Sequence, residues 1–136
     1  MSLETNKALI LEFYKAFDQQ DIERGRTLIS EEVVAKGLDA VPRQGIDAVM
    51  SYGKAMFAAF PDGQHTLEEI IAEGDKVVSR GTFCGTHRGE LMGMPPTGKQ
   101  VTFAVIHIDR IVDGKIVEHW GQADVFGMMQ QLGVTT

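Results

Sequence analysis

A chain of 136 residues, 43% hydrophobic and 24% charged, has the size and composition of one ordinary folded domain, which excludes disordered and fibrous classes. Its formal net charge of −6 opposes nucleic-acid binding, which needs a clustered basic surface, and no run reaches the roughly 18 apolar residues of a membrane span. The opening MSLETNKALILEFYK lacks the basic n-region and cleavage site of a signal peptide, so a cytoplasmic location is expected, and the single cysteine, Cys84, excludes an intrachain disulfide and a multi-cysteine zinc site.

From Glu4 to Phe17, the residues Leu9, Ile10, Phe13, Tyr14 and Phe17 recur at helical spacing and mark a helix that turns this face inward. Asp21 can cap a second helix running through Thr27 and Leu28. EEVVAKGL reads as a short strand and VPRQG as a loop, after which Ile46, Val49, Met50, Met56, Phe57 and Phe60 resume helical periodicity until FPDG stops it. The texture then becomes β-rich: HTLEEIIAEG, DKVVSRGTFCGTH, KQVTFAVIHIDRIV and KIVEHWGQAD are strands separated by turns, with Asp113-Gly114 a strong hairpin signal. VFGMMQQLG closes the chain as an amphipathic helix. Helices first and strands second predict an α+β domain spanning residues 1–136, its helices covering one face of a bent antiparallel sheet. A sheet that curls around helices leaves an apolar cavity, the usual small-molecule site.

Alternation along the last strand groups Ile116, Glu118, Trp120, Gln122 and Asp124 on one face. If that face is the cavity side, desolvation suits Asp124 to proton transfer near neutral pH; alternatively, Asp124 caps the helix that begins after it. The preceding strand groups Val101, Phe103, Val105, His107, Asp109 and Ile111, and both of its faces are apolar enough to be covered. His107 is either a hydrogen-bonded core histidine or a proton-transfer residue, while Asp109 is expected to serve the strand end or surface. Arg80 is either a ligand for a substrate oxygen or half of a surface ion pair, and Cys84 is expected to be a packed thiol. The histidines at 65, 87, 107 and 119 show no metal-binding spacing, and no glycine-rich phosphate loop is present, so neither metal nor nucleotide cofactor is expected.

The blocks FAAFPD, AEGDKVVSRGTFCGTHRGELMGMPPTGKQV and IDRIVDGKIVEHWGQADVFGMMQQLG, with the opening helix ALILEFYKAFDQQDIE, resemble the SnoaL-like polyketide cyclases, or ester cyclases, of the nuclear transport factor 2-like superfamily. The resemblance covers nearly the whole chain. It implies a cone-shaped α+β barrel, a homodimer or homotetramer, and a cofactor-free intramolecular aldol condensation on an apolar or aromatic carbonyl compound. It also implies that Asp124 is the general acid/base, that His107 and His87 are further site candidates, and that Trp120, Phe57 and Phe60 form an apolar wall; Tyr14 and Arg80 join the substrate-contact candidates. Where the family commonly has a polar cavity residue after the first strand, this chain has EEVVAKGLD, which makes Lys36 a changed pocket residue if it points inward. Two further readings stand beside the cyclase: an epoxide hydrolase or hydratase, which needs Arg80 and a second acid to converge on Asp124, and a non-catalytic binding module for a small apolar ligand.

Overall fold

The computed structural model describes residues 2–134. Helix α1 spans Leu3–Asp18 and is capped by Ser2, whose hydroxyl accepts the Thr5 N–H; the short helix α2, Ile22–Thr27, is capped by Asp21 as its sequence requires. Strand β1 covers Ile29–Lys36, and the following loop holds a two-residue strand, β2, Arg43–Gln44. Helix α3 runs Ile46–Ala59. Strands β3 (Gln64–Glu73), β4 (Lys76–Thr86), β5 (Gln100–Val112) and β6 (Lys115–Ala123) follow, and α4 (Val125–Leu132) ends the fold.

The six strands form one curved, mixed sheet in the order β2-β1-β6-β5-β4-β3. All pairings are antiparallel except β1 with β6, which run parallel, so the sheet is mixed. The helices pack on its concave side, giving the α+β cone. Alternation on β5 and β4 is well kept: Val101, Phe103, Val105, Asp109 and Ile111 on β5 are buried, as are Val77, Ser79 and Phe83 on β4. Two apolar clusters result. One joins Phe57, Phe60, Phe83, Phe103 and Met128; the other joins Ile10, Tyr14, Val33, Met50, Val77 and Ile116. The convex face differs from the expectation that both faces of β5 are covered, since Ile106 and Ile108 are exposed among the described residues. Cys84 also lies on the exposed side, contrary to the packed thiol expected, because it alternates with the inward-facing Phe83.

One irregularity decides what the cavity contains. From the Asp113-Gly114 turn, Val112 pairs with Lys115 and Ile111 with Ile116, but the next pair is Arg110 with Glu118. Val117 is therefore an extra residue, a β-bulge, and beyond it every side chain of β6 takes the opposite face from the one simple alternation gives. Asp109 pairs with His119 and His107 with Gly121, so His119 and Gly121 turn inward while Trp120 turns out.

Candidate active site

Between the helices and the concave sheet lies a cavity of about 160 Å³, walled mainly by carbon: Phe13 and Phe17 from α1, Val33 from β1, Tyr52 and Met56 from α3, Phe83 and Phe103 from the sheet. Its polar groups are few and they converge. Tyr14, His65, His107, Asp109 and His119 all border it.

His119 and Asp109 form a pair across the β5–β6 ladder. The Asp109 carboxylate Oδ1 lies 2.5 Å from His119 Nδ1, and the side chains are 1% and 13% exposed respectively, which shields the interaction from water. Asp109 Oδ2 finds no hydrogen-bond partner among the described residues. Burial alone pushes the His119 imidazole down, but the charge of Asp109 and its hydrogen bond outweigh that effect and raise it above the ordinary histidine value of 6.5. Because Nδ1 is taken by the carboxylate, Nε2 is the atom left for chemistry. It lies 3.3 Å from where a Cβ on Gly121 would stand, and that Cβ would also meet His107 Cδ2 at 3.2 Å and Leu38 at 2.7 Å, so glycine at 121 keeps the imidazoles clear.

His107 sits beside this pair, its ring centroid 4.9 Å from that of His119. Burial first, then the positive charge available to His119 and His65, holds His107 well below the ordinary value, so it is neutral when His119 is protonated. Its Nδ1 is hydrogen-bonded to the Tyr14 hydroxyl, which also lies 3.1 Å from Ser79 Oγ. Burial and the nearby Asp109 carboxylate keep the Tyr14 phenol far from ionisation. About one turn further along, at the C-terminal end of α1, the Asp18 carboxylate holds His65: Oδ1 is 2.7 Å from His65 Nδ1 and Oδ2 accepts the His65 backbone N–H at 2.8 Å.

The residues proposed from sequence fall in different places. Tyr14 and His107 line the cavity. Asp124 does not: it is exposed, and its carboxylate accepts the Gly127 N–H at 2.8 Å as the N-cap of α4. The Val117 bulge is the reason, since it moves the Trp120–Asp124 face outward. Glycine at 127 matches this role, because a Cβ there would stand 2.2 Å from the Asp124 carboxylate oxygen. Trp120 is 44% exposed, donates its indole N–H to Glu118 and is overlaid by Lys36 Nζ at 4.8 Å from the ring centroid, so Lys36 points outward too. Arg80 is on the convex face with Glu68 at 3.1 Å and Glu69 at 2.6 Å, both reachable because a bulge in β3 sets these two acids side by side. Phe57 and Phe60 are core residues behind the cavity rather than part of its lining.

His87 is fully buried away from the cavity. Its Nδ1 accepts the Thr97 N–H at 3.2 Å, while its backbone bonds Lys99 and Gly98, so it clamps the 88–98 loop onto β4 and β5. Sequence reasoning missed the pairing of Asp109 with His119 and the place of His65. The common face of His107 and Asp109 was legible; only the bulge concealed that His119 joins them. Among the described residues, no group of three or more His, Cys, Asp or Glu is arranged to hold a metal ion, and no helix is long and apolar enough to cross a membrane.

The model of the SnoaL-like polyketide cyclase family matches residues 8–132. The chain belongs to that family. Over 77 residues, 55% of this chain and 52% of the relative, it is 44% identical to the aklanonic acid methyl ester cyclase DnrD of Streptomyces peucetius. Over 69 residues, 49% of this chain and 52% of the relative, it is 42% identical to the nogalonic acid methyl ester cyclase of Streptomyces nogalater. The chain spans about half the length of these curated relatives. Among solved structures, IdmH of Streptomyces antibioticus, for which a polyketide cyclase role has been put forward, is similar at a TM-score of 0.84 and 34% identity, covering 95% of this chain and 99% of that one. AclR of Streptomyces galilaeus, for which a hydroxylase role has been put forward, is similar at a TM-score of 0.89 and 32% identity over 99% and 100% of the two chains.

The position of Asp124 makes a first prediction. Asp124→Ala is expected to cost about 0.5–2 kcal/mol of stability through loss of the cap, read as a lower urea midpoint at unchanged slope, while turnover of folded protein is unaffected.

Proposed function

We propose that this SnoaL-like protein is a cofactor-independent cyclase that closes a ring of an aromatic, carbonyl-bearing polyketide ester by intramolecular aldol condensation, with His119 rather than Asp124 moving the proton. The observation that carries this reading is a carboxylate-backed imidazole on the wall of a mostly apolar cavity. Neutral His119 accepts the proton α to a carbonyl at Nε2, and Asp109 stabilises the resulting imidazolium through the Nδ1–H bond, as in other acid–imidazole pairs. The enolate carbon attacks the second carbonyl, and His119 returns the proton to the new alkoxide. The ring closes by the addition step, with no loss of water, so substrate and product are isomers and no external reactant is needed.

Neutral His107 supports the negative charge that develops on the enolate oxygen. In this mechanism Nδ1 accepts from the Tyr14 hydroxyl, so Nε2 carries the ring proton and is the donor offered to an oxyanion. Preorganised donors in a dry site are worth more than in water because they need not reorient as charge appears. The cavity's 160 Å³ is smaller than the roughly 300–1,000 Å³ of sites that engulf a drug-sized ligand, so it seats the reacting end of the substrate while the remainder occupies the mouth near Leu38, Tyr52 and Val125. The names of the curated relatives supply the substrate class to try first, the methyl esters of aklanonic and nogalonic acids. The epoxide-hydrolase alternative lacks support, because Arg80 is turned to the convex face and meets neither Asp124 nor Asp109.

Incubation with aklanonic acid methyl ester, followed by mass and NMR analysis for an isomeric cyclic product, tests the reading. Cyclisation abolished by His119→Gln supports it; cyclisation that survives this change sinks it. Tyr14→Phe is expected to lower kcat and to cost about 1–3 kcal/mol of stability, because it leaves Ser79 Oγ and His107 Nδ1 without their shared partner. Denaturant unfolding beside turnover separates the two effects.

A further inference from the structure

Besides the His119–Asp109 pair, the cavity wall holds a second carboxylate-backed imidazole that the aldol reading leaves unused. His65 enters from the start of β3, and its ring packs among Tyr14 at 4.9 Å, Phe83 at 5.0 Å, Phe17 at 5.9 Å and His107 at 6.1 Å between centroids. Its side chain is 9% exposed and that of Asp18 is 17%, yet His65 borders the cavity. The two Asp18 oxygens are divided between the backbone N–H and Nδ1 of the same residue, which fixes both the position and the orientation of the ring. Nδ1 is thereby occupied, and Nε2 is the nitrogen available to a ligand. The three imidazoles stand in the order His65, His107, His119 along one wall, with successive centroids 6.1 and 4.9 Å apart.

A staple between the end of α1 and the start of β3 would need only the Asp18–backbone bond. It would not need an imidazole, with a polar edge, set into a wall otherwise made of Phe13, Phe17, Phe83 and Met56. An aldol closure has two oxygens that gain negative charge, the enolate oxygen and the oxygen of the carbonyl under attack. They belong to different carbonyl groups, and one donor cannot sit on both.

We propose that His65 binds the carbonyl under attack and protonates it, with Asp18 as its positioning residue; this rests on the aldol reading of the same cavity. The proton transfers are then divided, and the alkoxide takes its proton from His65 in place of the one that His119 would otherwise return. His119 Nε2 takes the proton from the α carbon as the new C–C bond forms. The π electrons of the attacked C=O move to its oxygen, which takes a proton from Nε2 of a His65 imidazolium whose charge Asp18 balances. The enzyme is left with one proton gained at His119 and one lost at His65, and both sites re-equilibrate with solvent after the product leaves. The substrate class follows: an aromatic compound with two carbonyl groups held far enough apart for one to sit at each end of the histidine row.

Long-range proton–nitrogen NMR of the imidazole rings in the intact protein, with 1-hydroxy-2-acetonaphthone as an aromatic ketone probe, tests this without needing turnover. The expected result is that saturation with the probe shifts the His65 Nε2 resonance. Asp18→Asn should then weaken probe binding about tenfold, the loss of one well-placed hydrogen bond, and remove the probe-induced shift at His65 Nε2. Shifts at His107 and His119 with none at His65 overturn this proposal and leave the aldol reading standing, whereas silence at all three rings overturns the ligand cavity on which both depend. The wild-type titration decides the matter even where Asp18→Asn fails to fold.

Discussion

Asp109→Asn is expected to lower kcat/KM by about 10²–10⁴-fold, the range that a positioned acid/base supplies, and to move its pH profile. In the proposed mechanism the catalytic form is neutral His119, so activity is lost as pH falls through the pKa of that group. That pKa lies above 6.5, because the charge and hydrogen bond of Asp109 more than offset burial. An asparagine at 109 keeps the burial and removes the charge, so the acid limb moves below 6.5 while the plateau drops. A variant that merely loosened the fold would lose rate without moving the limb. Stability carries the opposite sign. A histidine raised on folding contributes stability fully below its unfolded value near 6.5, and the contribution disappears as pH rises through the raised value; Asp109→Asn leaves only the burial that lowers His119 and should reverse that slope. A pH–rate profile and denaturant unfolding at several pH values check both halves.

Phe83→Ala is expected to cost about 3–5 kcal/mol, a large share of the roughly 5–15 kcal/mol that stabilises an ordinary domain. Phe83 is 2% exposed and meets Phe57, Phe60 and Phe103 at centroid separations of 6.3, 5.7 and 5.4 Å. It joins α3 to the sheet, so deletion of its ring leaves a void bounded by three elements that cannot all move in. It also packs against the His65 ring at 5.0 Å, so the damage reaches the cavity. Urea unfolding should show the lower midpoint. Substrate affinity in the surviving folded protein should fall more than it does in Asp124→Ala, which touches only the cap of α4.

Much of this architecture was legible from the sequence because its signals are local. The apolar stripe of α1, the Asp21 and Asp124 caps, the Asp113-Gly114 turn and the alternation on β5 each follow from residues a few positions apart. That His107 and Asp109 share a face was likewise within reach, since an uninterrupted strand preserves parity. What escaped was non-local. A single extra residue at Val117 reverses the facing of β6, and nothing in KIVEHW announces it, because Val117 and Ile116 suit either face equally well. The reversal exchanged Trp120 and Asp124 for His119 and Gly121 as the cavity-side set. Lys36 followed the same course, since its pairing with Trp120 takes both side chains outward. The union of His65 with Asp18 spans 47 positions of sequence and depends on how α1 lies across β3, which periodicity does not encode.

In the proposed mechanism, the working proton resides on the imidazole backed by Asp109. Its most direct test is deuterium uptake from heavy water at the α carbon of aklanonic acid methyl ester, followed for the parent protein, His119→Gln and Asp124→Asn, the last chosen because asparagine keeps the helix cap while removing the charge. Uptake near the parental rate is expected in Asp124→Asn and none above background in His119→Gln. Uptake retained in His119→Gln and lost in Asp124→Asn would contradict that mechanism.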